Sequence, residues 1–119
     1  MTKVLFIGDR PSPLMKPNAK PFRGARSEKR LLAWIDFLEI KDYLIVNQNT
    51  TSYGWFFEQW EKGYKFVALG NKAANRFTGA NELPHFKLPH PSGLNRKLND
   101  KKFIDEQLNL CKKFIYDKN

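Results

Sequence analysis

The run Leu88-Pro89-His90-Pro91-Ser92-Gly93-Leu94-Asn95-Arg96 sets an imidazole, a hydroxyl, an apolar leucine and a guanidinium within a few residues of one another. Prolines on both sides of His90 and a glycine three places on mark a turn-rich loop. A loop so composed can grip a nucleotide swung out of its stack and fill the hole it leaves. Towards the other end of the chain, Gly8-Asp9-Arg10-Pro11-Ser12-Pro13 follows an apolar stretch and offers a carboxylate beside a guanidinium. The two loops are expected to face each other across one site.

The elements that must hold these loops follow from the apolar pattern. Val4-Leu5-Phe6-Ile7, closed by Gly8, is a continuous apolar run and reads as a buried, parallel strand over residues 3–8. Residues 9–26 carry Pro11, Pro13, Pro17 and Pro21 and form a long basic loop. Ser27 is expected to cap a helix whose Leu31, Leu32, Trp34, Ile35 and Leu38 share one face. Residues 43–47 form a second buried strand ending in Asn47; polar loop follows to Ser52, then a short helix from Trp55 to Glu61. Lys65 to Gly70 is the third strand, and Asn71 to Phe77 a helix whose first N–H groups are placed to hold an anion. A short strand near Phe86-Lys87-Leu88 leads into the histidine loop. The last helix, roughly Asp100 to Tyr116, is expected to bury Phe103, Ile104, Gln107, Leu108, Cys111, Phe114 and Ile115. Alternation of strands and helices predicts a three-layer α/β/α sandwich with a central, mainly parallel four-stranded sheet. Ligands of such sheets sit at the carboxyl ends of the strands, where the Gly8, Asn47, Gly70 and His90 turns all fall.

At 119 residues the chain reads as one domain, residues 1–119. Its formal charge of +9 suits a polyanion, nucleic acid before an anionic membrane surface. Seventeen aromatic residues (3 Trp, 4 Tyr, 10 Phe) exceed what so small a core requires, so some are expected at the site, where flat rings stack on bases. No apolar run is long enough to span a bilayer, and no signal-peptide pattern opens the chain. A single cysteine, Cys111, excludes a disulfide framework or a multi-cysteine metal site and fits a reducing cytoplasm, that of a host cell if the source is viral. No metal-ligand spacing, dinucleotide or Walker pattern, or nucleophile elbow occurs, so neither metal nor organic cofactor is expected.

Three segments taken together resemble the uracil-DNA glycosylase superfamily. Gly8-Asp9-Arg10-Pro11-Ser12 is similar to its first motif, written GQDPY, GINPG or GEAPG. Pro21-Phe22-Arg23-Gly24 with Ser27 and Leu31-Leu32 is similar to the PF-x-G…LL stretch of its thermostable branch. His90-Pro91-Ser92-Gly93-Leu94-Asn95 resembles its second motif, HPSPL or NPSGL. Asn47 at a strand end and Leu69-Gly70-Asn71-Lys72-Ala73-Ala74, similar to LG-x-x-A, are weaker matches in the same order. Two departures stand out: members are usually considerably longer, and Arg10 occupies the place where many have the Asp or Asn that positions water. The acid lies one place earlier, at Asp9, as in the GEAPG branch, whose four-cysteine iron–sulfur site this chain lacks.

The resemblance implies a glycosylase that cleaves the bond between uracil, or a related pyrimidine, and deoxyribose. His90 would donate to O2 of the departing base anion, with a loop-holding histidine as the alternative. Asp9 would position water or stabilise the cationic sugar; an ion pair with Arg10 or Arg23, or a turn cap, is the other reading. Asn47 has both a donor and an acceptor for the O4 and N3–H edge of uracil, although a strand-end Asn also caps turns. Phe22 would stack on the flipped base unless it belongs to the core, and Leu94 would wedge into the duplex. Arg10, Ser12, Arg23, Ser92, Asn95 and Arg96 would meet the DNA backbone. The expected partner is uracil-containing DNA, single- or double-stranded, bound by a monomer. A protein of the same fold that binds DNA or a base without cutting it is the alternative, and Arg10 motivates it.

Overall fold

The computed structural model describes residues 2–8, 26–79, 82–91 and 100–116. Four strands form one sheet: β1 (Lys3–Gly8), β2 (Asp42–Asn47), β3 (Lys65–Leu69) and β4 (His85–Leu88). Their order is β2-β1-β3-β4 and every pairing is parallel. Helices α1 (Arg26–Phe37), α2 (Tyr53–Glu61), α3 (Asn71–Asn75) and α4 (Lys101–Tyr116) connect or follow the strands.

Alternation along the central strands assigns the layers. Val4, Phe6, Val67, Leu69 and Leu88 point to one face and pack with Leu31, Trp34, Ile35 and Leu38 of α1 and Leu108, Cys111 and Ile115 of α4. Leu5, Ile7, Phe66 and Ala68 point to the other, against Phe56 of α2, Ala73 and Ala74 of α3, and Phe77. The expected three-layer α/β/α sandwich with its parallel four-stranded sheet is therefore the architecture found. β1 and β3, covered on both faces, are the strands whose sequences read as unbroken apolar runs.

Several local expectations are corrected. The run 43–46 looks as apolar as β1, yet β2 is an edge strand: Leu44 is 39% exposed and Asn47 is its one fully buried residue. Helix α1 starts at Arg26, so Ser27 lies inside the helix and is not its cap. Helix α2 begins at Tyr53, two residues earlier than read, because the Ser52 hydroxyl accepts from Trp55 N at 3.2 Å. Gln48–Thr50 is a 3₁₀ turn where plain loop was expected. Helix α3 stops at Asn75, not Phe77. A helix of five residues has no stability of its own. Phe77, just beyond its end, anchors it: the ring meets Phe56 at 5.0 Å and Phe66 at 5.3 Å, both edge-on. His85 is half-buried against Phe77, and its Nδ1–H donates to Leu83 O at 2.8 Å.

Candidate functional site at the carboxyl edge of the sheet

The helix that follows β1 packs on one face of the sheet, the helix that follows β3 on the other, and the helix that follows β4 on the first again. Adjacent strands are thus followed by helices on opposite faces, and in parallel sheets of this kind ligands bind at the carboxyl ends of such strands. Gly8 and Asn47 are register partners at this edge, and Leu69 is paired with Leu88. Four strands span three gaps, so β2 and β4 lie roughly 14 Å apart.

Asn47 is 4% exposed, a buried amide at the last position of β2. It stands at the N-cap position of the 3₁₀ turn but makes no side-chain capping bond. Its backbone carbonyl, in contrast, accepts from Thr50 Oγ1 at 3.3 Å and Thr51 Oγ1 at 2.8 Å. The turn is held again from α3: Arg76 donates to Gln48 O at 3.3 Å, Gln48 Oε1 at 3.4 Å and Thr51 O at 3.0 Å, and lies over the Phe56 ring. Four hydrogen bonds to backbone carbonyls thus fix the turn after Asn47, and none of them uses its side-chain amide. The turn-capping account of this residue is therefore not the one the geometry supports.

His90 lies two residues past β4 and is half-buried. It owes its place to Gly70, whose φ of +94° only glycine adopts without strain. A Cβ built on Gly70 would come within 3.2 Å of His90 Cβ, closer than side chains normally pack. Gly70 N–H donates to Leu88 O at 2.8 Å, tying the ends of β3 and β4 together just before the histidine. Arg30 of α1 donates to Pro91 O at 3.4 Å and holds the loop from the other side. Gly70 N–H, at the cap position of α3, is thereby committed to Leu88, and the helix that follows is little more than one turn.

A cleft of about 280 Å³ opens beside His90, between Gly70 and Asn71, the exit of β4 from Lys87 to His90, and Phe103 and Gln107 of α4. Phe103 and Gln107 were expected in the core. They sit one turn apart on the flank of α4 and line this cleft, while Leu108, Cys111 and Ile115 form the buried stripe. A glutamine among apolar residues on a helix face was the sequence sign of this. Lys87 Nζ donates to Asn71 Oδ1 at 2.9 Å at the rim. Asn47 does not line this cleft.

Of the residues singled out in the sequence, Asn47 and His90 are thus placed at the same edge of the sheet. Asp9, Arg10, Ser12, Phe22, Arg23, Ser92, Leu94, Asn95 and Arg96 lie outside the described residues. Among the described residues no group of three or more His, Cys, Asp or Glu is arranged to hold a metal ion, and no helix is long and apolar enough to cross a membrane. No protein-family model, curated protein or solved structure matches the chain.

Proposed function

We propose that this protein is a small, monomeric DNA glycosylase acting on uracil or a related pyrimidine flipped out of DNA, in the cytoplasm of its cell or host. One observation carries the proposal: a buried amide whose hydrogen-bonding groups are left out of its own turn, at the same carboxyl edge of a parallel sheet as a histidine seated on a glycine. Such an amide is matched to a base edge, since its donor and acceptor complement O4 and N3–H of uracil and oppose the pattern of cytosine.

In the proposed reaction the base swings out and stacks on Phe22 while Leu94 fills the gap it leaves. Asn47 holds the pyrimidine edge. As the bond from N1 to C1′ breaks, its electron pair goes to the base, and His90 donates a hydrogen bond to O2, where the charge collects. Asp9 orients a water that adds hydroxide to C1′, and the remaining proton goes to the base. Arg10, Ser12, Arg23, Ser92, Asn95 and Arg96 hold the flanking phosphates. No metal or organic cofactor takes part.

The test is strand cleavage by hot alkali after incubation with uracil-containing single- and double-stranded oligonucleotides. The wild-type protein is expected to generate alkali-labile sites at uracil. His90→Ala should slow this about 10²- to 10³-fold, the usual effect of removing one preorganised donor. Asn47→Ala should slow it about ten- to a hundredfold. Intact strands together with a clear gel shift would instead identify a DNA-binding protein that does not cut. A panel of substituted bases decides which pyrimidine is preferred.

A further inference from the structure

The cleft between Gly70 and α4 has the make-up of a base pocket, but it is separate from the position of Asn47. Phe103 supplies a flat ring at its wall, and Pro89 adds an apolar surface. Gln107 brings an amide with both donors and an acceptor, and Lys87 puts a cation at the rim beside Asn71. A cleft of mixed polar and apolar lining, with one ring, one amide and an ammonium at its mouth, suits a nucleobase attached to a phosphate better than an aliphatic ligand. At about 280 Å³ it admits a single ring system, so the base must be unpaired. His90 lines this cleft and stands at the same carboxyl edge of the sheet as Asn47.

We infer that the cleft bounded by Phe103, Gln107, Lys87 and His90 holds a second, unpaired base of single-stranded DNA, a neighbour of the base presented to Asn47. It deepens the DNA reading above and rests on it for the identity of the polymer. Phe103 stacks on this base, Gln107 pairs with its edge and Lys87 takes the adjoining phosphate. The protein would then hold its substrate strand by two bases and discriminate in favour of single strands.

The inference is tested without any glycosylase chemistry, by fluorescence anisotropy with two labelled probes: an all-thymine strand and a strand of the same length made of abasic residues. Phe103→Ala should weaken binding of the thymine strand about tenfold, as expected for one lost base stack. Phe103→Tyr should restore it. Gln107→Leu should weaken thymine binding about threefold to tenfold. On the abasic strand, Phe103→Ala, Gln107→Leu and the wild-type protein should bind alike, because neither side chain has a base to meet. Lys87→Gln should weaken both probes, since both carry the phosphate. Equal losses by Phe103→Ala on the two probes would show a structural effect and overturn the inference. So would unchanged binding of the thymine strand by Phe103→Ala, or failure of the wild-type protein to bind it. Base-dependent binding with no cleavage of uracil strands would leave the second base site standing and reject the glycosylase reading.

Discussion

At the scale of single residues, Gly70 has the most to explain. Its φ of +94° and its contact with His90 are two separate reasons why a methyl group does not fit. Gly70→Ala is expected to cost about 1–3 kcal/mol of stability, read from the denaturant midpoint. It should also displace the imidazole, so that cleavage of uracil strands falls even where the protein remains folded. Cys111 illustrates a buried residue with no part in the site. Burial raises its thiol from 9.0 to about 12, so the neutral form is favoured in the folded chain. Because the folded value lies above the unfolded one, this contribution to stability is complete below pH 9.0 and declines as pH rises from there towards about 12. Native protein should leave a thiol-specific reagent unconsumed at neutral pH, and unfolded protein should consume one equivalent. Rapid modification of the native protein would contradict the burial. The sequence already pointed to a packed thiol at position 111. For Phe103 and Gln107 of the same helix, which line a cleft instead of the core, its one sign was the glutamine set among apolar residues.

At the scale of elements, the joints are set by short-range chemistry that sequence partly exposes. The end of α1 is an example. Ile40 N–H bonds Ile35 O at 3.3 Å and Glu39 N–H bonds Asp36 O at 3.1 Å, the paired bonds that close a helix through a left-handed residue. That residue is Glu39, with φ of 58°, where glycine is the usual choice. Its only ion pair among the described residues is with Lys112, on an exposed side chain, and contributes little. Glu39→Gly is therefore expected to raise stability by up to about 1 kcal/mol, visible as a higher denaturant midpoint at unchanged slope. Tyr116 adds a bond of 2.6 Å from its hydroxyl to Leu38 O, docking the end of α4 on the same joint. Around Asn47 the control is less local: Arg76 reaches back 25 to 28 residues to hold the 3₁₀ turn. A guanidinium at the end of one helix gives no sequence hint of which carbonyls it will meet.

At the scale of the whole molecule, the excess of 21 basic over 12 acidic residues is a statement about association and not about fold. Binding to a uracil-free single strand should weaken steeply with added salt, with log K falling linearly against log salt at about −0.7 per phosphate neutralised. Affinity independent of salt would argue against a polyanion partner of any kind. The parallel sheet itself explains why sites far apart in the chain belong together. Gly8 and Asn47 end, and Gly70 and the His90 turn follow, four strands that run the same way, so these positions must share one edge. That much was legible from the alternation of apolar runs and helical periods.

The sequence by itself determined the elements and the edge at which their exits meet. Apolar period, prolines and glycines act through neighbours a few residues away, and those neighbours are written in the chain. Only the tertiary structure decided that β2 lies at the edge while β1 and β3 fill the centre. It alone gave His90 its seat against Gly70 and opened a cleft walled by Phe103 and Gln107. These outcomes depend on which surfaces meet across 20 or more positions, and no local pattern records that choice.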